Sequence, residues 1–348
     1  MIAIPLLTLV PGRLGGSETY VRELLAGLGR TGRHDYRVVL PPVAPAASAG
    51  LPSVVAPEYR AARTTPERRL AMGEAWARPA RLRRRVEGAA VVHYPLTIRL
   101  PPVDTPSVVT LHDLQHLDLP AMFPRSERLF RRAVWPPSLR GAERVVVISE
   151  FVRGRAEELL GLDPKRLRVV PLGLDHERLR PGGERGDYLL YPARRWPHKN
   201  HERLFEAFAL LRRERPGLRL VLTGGGDFSR CPEGVEARGH LPWHEVVELL
   251  RHAAALVFPS LYEGFGLPPL EAMACGCPVA CSDVAALPEV VGDAARLFDP
   301  RDPRSIADAV LDVLAEPDEW AARGLVRAQA FSWDATARAT DEVYSELL

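Results

Sequence analysis

Cysteine is scarce in this chain of 348 residues: Cys231, Cys275, Cys277 and Cys281 are all there is, and all lie in the second half. Three of them crowd into seven residues, a spacing that suits neither a disulfide framework nor a paired zinc pattern, so buried reduced thiols are expected. A charge excess is also lacking. Lys+Arg 46 against Asp+Glu 44 leave a formal +2, too little for a protein whose main partner is nucleic acid. No stretch approaches the roughly 18–20 apolar residues that span a bilayer. The opening run, Met1 to Leu7, lacks a positive leader and reads as a first strand rather than a signal peptide. The expectation is a cytoplasmic protein without a membrane span. No G-x-G-x-x-G suggests a dinucleotide site.

What is present is an ordinary globular balance, 46% hydrophobic and 26% charged, over a length that suggests two domains. The 33 prolines sit at strand ends and turns and read as loop punctuation. Residues 2–10 read as a buried strand, followed by a loop containing Gly15 and Gly16 and a helix carrying Tyr20, Val21, Leu24, Leu25 and Leu28. Strand, glycine loop and helix together can take an anion, because the backbone is approachable and the helix presents free N–H groups. Residues 37–40 form a second predicted strand. Residues 41–57, rich in Pro, Ala and Ser, read as a long irregular loop, and 60–86 as an arginine-rich helical stretch broken at Pro79.

Two further strands end in Val91-Val92-His93-Tyr94 and Thr110-Leu111-His112-Asp113. Ligands of open parallel sheets collect at carboxyl strand ends, so His93, His112 and Asp113 are expected at a crevice. His112, Asp113, Gln115, His116 and Asp118 lack the spacing of a known metal set, and no metal is expected. Residues 119–140 alternate aromatic or aliphatic side chains with arginines. Such a stretch either packs its apolar face on its own domain or lies on an anionic membrane surface.

In the second half, the strand Tyr188–Tyr191 leads into Pro192-Ala193-Arg194-Arg195-Trp196-Pro197-His198-Lys199-Asn200. A guanidinium fork and an ammonium five residues apart can clamp one diphosphate. Gly224, Gly225 and Gly226 make a third glycine loop, of low specificity. The apolar run Ala255–Phe258 then opens onto Glu263, a glycine turn, and a helix begun by Pro268 and Pro269 that carries Glu271. Two carboxylates on either side of one turn suit a ligand with two sets of hydroxyls, as in a nucleotide sugar.

The order S-x-Y-E-G-F-G-L-P-x-x-E-A-M-A-x-G-x-P-V from Ser260 to Val279 resembles the donor-binding signature of the family 4 retaining glycosyltransferases. The early G-G-x-E loop, T-L-H-D at His112, P-x-G-x-D at Pro171, P-A-x-x-W-P-H-K-N-H and G-H-L-P at Gly239 are similar to family segments as well. The resemblance implies an α/β protein of the GT-B fold: two Rossmann-like doubly wound domains facing across a cleft, with a C-terminal helix crossing back. Its expected parts are an acceptor domain (1–178), a nucleotide-sugar donor domain (179–330) and the returning helix (331–348).

By the same resemblance His112 lies near the sugar's primary hydroxyl, and Gly15 and Gly16 lie beside the donor phosphates and acceptor. Arg194 and Lys199 neutralise the leaving diphosphate. Glu263 with the backbone of Gly264, Phe265, Gly266 and Leu267 holds the hexose, Glu271 holds the ribose, and Gly239, His240 and Leu241 hold the base through backbone groups. The family usually has glycine where Ala193 stands, and Arg195 leaves the choice of arginine open. The implied activity is metal-independent transfer of a hexose from a nucleoside-diphosphate sugar to a saccharide, glycolipid or small-molecule acceptor. GDP-mannose is the preferred donor, with UDP-glucose or a dTDP- or GDP-deoxysugar as alternatives. A nucleotide-sugar-binding protein without turnover is the reading from another class.

Overall fold

The computed structural model describes residues 1–348. The chain divides into two compact units, Met1–Gly173 with Trp333–Leu348, and Leu174–Ser332.

The first unit holds a seven-stranded sheet of β1 (Ile2–Pro5), β2 (Tyr36–Leu40), β3 (Ser53–Val55), β4 (Val91–Tyr94), β5 (Ser107–Leu111), β6 (Arg144–Val147) and β7 (Leu167–Val169). Their order is β3-β2-β1-β4-β5-β6-β7, and every pairing is parallel. Strands such as Val91-Val92-His93-Tyr94 are buried at all four positions, as expected where helices cover both faces of a parallel sheet. The predicted first strand is shorter than its apolar run. Beyond Pro5 the chain turns, with Leu9 N–H donating to the Leu6 carbonyl at 2.8 Å, yet Leu6, Leu7, Leu9 and Val10 stay buried. Burial, not extension, accounts for the length of that run. The stretch read as irregular, 41–57, contains β3, whose Ser53, Val54 and Val55 pair with Val38, Val39 and Leu40.

The second unit holds β8 (Tyr188–Pro192), β9 (Arg219–Thr223), β10 (Val235–Ala237), β11 (Ala255–Phe258), β12 (Val279–Ser282) and β13 (Arg296–Phe298). Their order is β10-β9-β8-β11-β12-β13, again all parallel. Strand order reverses between β1 and β4 in one sheet and between β8 and β11 in the other. The carboxyl ends flanking such a reversal are where a doubly wound sheet opens a ligand crevice.

The last helix, Trp333–Ser345, packs on the Gly16–Thr31 helix of the first unit. Contact is close enough that a Cβ on Gly27 would stand 2.8 Å from that of Ala337. Buried Asp341 on this helix accepts from Arg33 Nε at 2.9 Å and from the Tyr36 hydroxyl. Tyr344 reaches His93, which is wholly buried, its Nδ1 2.7 Å from the tyrosine oxygen and its Nε2 2.8 Å from Thr110 Oγ1. His93 was expected at a crevice and is instead a core residue. Burial pushes its pKa down to about 3, so it is neutral and serves to tie the last helix to the sheet.

Candidate active site

The second sheet builds its site where the turns after β8 and β11 meet. After β8 the chain makes a short turn, Pro197–Lys199, held by the Tyr191 hydroxyl donating to the Lys199 carbonyl at 2.6 Å. Asn200 follows in the left-handed region, φ 60°, and its Nδ2 donates to the carbonyls of Pro259 (3.1 Å) and Pro300 (2.7 Å). Leu261 N–H donates to the His198 carbonyl at 2.7 Å. The two turns are thus stitched side by side. Asn200 carries a local signal of its own, an asparagine directly before a helix, where its side chain competes for backbone groups.

That stitching places Lys199 Nζ 2.5 Å from Glu263 Oε1, with the side chains only 13% and 16% exposed. Ser260 Oγ donates to the same carboxylate oxygen at 2.6 Å, and the ammonium lies 5.3 Å from the centre of the Phe258 ring. The sequence put Lys199 at the diphosphate and Glu263 at the hexose; the structure joins them in one ion pair. Past Glu263, Gly266 precedes the Leu267–Ala274 helix at φ 126°, and a Cβ there would lie 2.7 Å from Leu287 Cδ2. The backbone angle demands glycine, and a Cβ would also push the end of the Leu287 side chain aside. Phe265 is buried, edge-on to Phe331 at 5.8 Å. One turn into the helix, Glu271 keeps an exposed edge, yet burial raises its pKa to about 7, opposed by a hydrogen bond from the Trp243 side chain. Trp243, with 38% of its surface exposed, was not singled out as a site residue.

The two neighbouring arginines have different surroundings. Arg195 is committed to Glu202 and to the Asp227 carbonyl, with its guanidinium over Phe228. Arg194 is partly buried, 5.7 Å over the Trp196 ring. The Gly224–Gly226 loop backs this segment: Gly225 O accepts from Arg195 N–H at 2.9 Å, and Gly224 N–H donates to the Gly239 carbonyl at 2.6 Å. Gly239, exposed His240 and Leu241 therefore sit beside the same loop, after β10, which ends at Ala237.

In the first unit, Gly15 (φ 57°) and Gly16 are exposed, and no atom lies within 4 Å of where either Cβ would be, leaving room for a ligand. His112, after β5, has Nε2 2.8 Å from the Pro95 carbonyl and its ring 5.0 Å from and edge-on to Tyr20. Burial lowers its pKa. The imidazole is neutral; a carbonyl can only accept, so the proton is on Nε2 and Nδ1 is left as an acceptor for a hydroxyl. His116 is buried against Trp135 and Phe123 at 4.7 and 6.4 Å. The 119–140 stretch contains the helix Arg125–Arg140, in which only Ser138 and Leu139 are buried, Leu129 is 68% exposed and Arg131 covers the rings of Phe123 and Trp135. No helix of the chain is long and apolar enough to cross a membrane.

Two parallel doubly wound units, the first completed by the last helix, make a fold of the GT-B kind. Residues 179–324 match the model of the glycosyl transferases group 1, and residues 14–178 that of glycosyltransferase family 4. The chain belongs to this family and is a glycosyltransferase. It is 32% identical over 270 residues to the O-antigen chain mannosyltransferase B of Escherichia coli, covering 69% of this chain and 70% of that protein. It is 34% identical over 246 residues to a D-inositol 3-phosphate glycosyltransferase of Frankia alni, covering 60% of each. Among solved structures, the sucrose-phosphate synthase of Thermosynechococcus elongatus superposes with a TM-score of 0.79 at 21% identity, over 99% of this chain and 98% of that one. Anabaena HepE in complex with UDP-glucose superposes with a TM-score of 0.71 at 15% identity, over 99% of each.

Proposed function

We propose that this glycosyltransferase moves mannose from GDP-mannose, with retention at the anomeric carbon, to an acceptor hydroxyl in polysaccharide or glycolipid assembly. The observation that carries the donor site is the Lys199–Glu263 pair at the β8/β11 reversal, followed by the Leu267–Ala274 helix that carries Glu271. The choice of mannose is supported by mannosyltransferase relatives, the one from Escherichia coli and an MMP alpha-(1->4)-mannosyltransferase of Mycolicibacterium hassiacum, 35% identical over 54% of this chain and 50% of that protein.

In this reading Lys199 and Arg194 meet the charge that grows on the departing diphosphate, in place of a metal ion. Such cations lower the barrier only as far as they bind the transition state more tightly than the ground state. Glu263, already holding Lys199 and Ser260, orients hexose hydroxyls rather than attacking the anomeric carbon. The glycosidic C–O bond breaks toward the diphosphate, the acceptor oxygen attacks from the same face, and a diphosphate oxygen takes the acceptor's proton. Neutral His112 accepts a hydrogen bond from a sugar hydroxyl, and Glu271 accepts from the ribose. Contact of residues 119–140 with the inner membrane face belongs to the same proposal.

Thermal-shift titration with GDP, UDP, dTDP and ADP and their sugars tests the donor, because a ligand of the folded state raises its stability in proportion to the logarithm of concentration over Kd. The largest rise is expected with GDP-mannose, and turnover is expected to survive EDTA. A preference for UDP-glucose would overturn the mannose assignment, a covalent glycosyl–Glu263 intermediate formed at the rate of turnover would overturn the same-face route, and loss of turnover in EDTA the metal-free one.

A further inference from the structure

Arg68, on the Thr65–Ala77 helix, carries a charge the fold does not compensate. Its guanidinium is drawn into the protein, where burial lowers its pKa, and it forms no ion pair. Its one protein hydrogen bond runs from Nη2 to the Thr8 carbonyl at 3.2 Å, and Nε is sealed from solvent without a partner. The charges it feels are Glu127, Arg131 and Arg69. Arg69 and Arg131 both spend themselves on Glu127, each at 2.7 Å. Three guanidiniums therefore share one carboxylate.

Two more buried polar atoms without partners lie on the segment that faces Arg131. His116, which faces Arg131, has a buried Nδ1 without a partner, and so does its neighbour Gln115 at Nε2. Thr8 follows β1, and Gln115 and His116 follow β5, so the group stands at the carboxyl edge of the first sheet, the edge that also carries the Gly15–Gly16 loop and His112. A buried charge left without a partner is costly, and native interiors avoid it unless something else supplies the counter-charge.

We propose that this cluster binds a phosphoryl group on the acceptor, with Arg68 as its principal contact. A net charge of two matches a phosphate monoester or diphosphate, and the guanidinium fork matches its oxygens; a neutral saccharide would leave the charge standing. The assignment rests on the reading above only in that the first sheet's carboxyl edge takes the acceptor.

The experiment saturates the enzyme with GDP, so that the donor's phosphate contacts are occupied, and then adds inorganic phosphate or glycerol 3-phosphate against sodium chloride of equal ionic strength. At about ten times Kd a rise in Tm of about 3 °C is expected for the wild type. Arg68→Met should lose at least half of that rise, keep the GDP shift, and melt no lower than the wild type in phosphate-free buffer. Arg68→Lys, which keeps the charge and loses the fork, should fold and also lose part of the phosphate shift. Co-sedimentation with vesicles containing phosphatidic acid, a lipid phosphate monoester, against phosphatidylcholine, separates the sources: binding weakened by Arg68→Met puts the phosphate on a lipid, and a phosphate shift without vesicle binding puts it on a soluble acceptor. No phosphate shift and no vesicle binding in the wild type, or the same responses in both variants, overturns the proposal. A missing GDP shift would count against the donor site alone.

Discussion

Replacing Lys199 by methionine separates the structural worth of the ion pair from its proposed chemical role. At 2.5 Å and an effective dielectric constant of about 20, the gross attraction between Lys199 and Glu263 is roughly 6–7 kcal/mol. Desolvation of two mostly buried ions takes back most of that. Removing the lysine alone leaves Glu263 with Ser260 but no cation, a loss of about 3 kcal/mol. For a unit of this size that is a fall in Tm of roughly 6–12 °C. Lys199→Met with Glu263→Gln removes both charges, and the pair of neutral side chains should return to within about 1 kcal/mol of the wild type. Turnover should not return with it: kcat is expected to fall about 100-fold or more in the single and the double variant, because the diphosphate has lost its ammonium. Denaturant titration of the four proteins of the cycle gives the coupling energy, and initial rates with saturating donor give kcat. A Lys199→Met enzyme as stable as the wild type, or a double variant that recovers turnover, would refute the reasoning.

Glu271 makes stability depend on pH. Its folded pKa of about 7 lies above the ordinary carboxylate value, so its contribution is full below about pH 4.5 and is lost as pH rises through 7, by roughly 3 kcal/mol. Glu271→Gln should flatten that slope in urea titrations between pH 5 and 8, and an unchanged slope would count against the burial argument. Asn200→Ala should cost about 2 kcal/mol by removing two hydrogen bonds and straining a left-handed backbone, and Asn200→Gly should restore only the backbone part. Thermal melts of both variants decide it. Gly266→Ala should lower Tm and raise the donor KM, since its Cβ meets Leu287; a wild-type KM would show that the turn tolerates the shift. Thiol titration of the native protein should find Cys231 reacting first, because Cys275, Cys277 and Cys281 are buried and burial pushes all three pKa values up.

Much of the architecture was written in local patterns. Short apolar runs alternating with helical periodicity determine two parallel sheets, and prolines at 268 and 269 after a glycine turn mark where a helix begins, because those signals act within a few residues. The chain alone also carries Glu263, Glu271, Arg194 and Lys199 in an order that resembles the family's donor-binding segments. Where apolar runs continued through turns, as at Leu6–Val10, local pattern overstated the strand, because burial and extension leave the same trace in sequence. Only the tertiary structure decided what met what. It joined Lys199 to Glu263 across 64 residues, drew His93 into the core beside Tyr344 across 251, paired Arg195 with Glu202, and left Arg68 without a carboxylate. Those outcomes depend on which strand ends lie side by side and on which charges remain after the others have paired, and neither quantity exists until the sheets have formed.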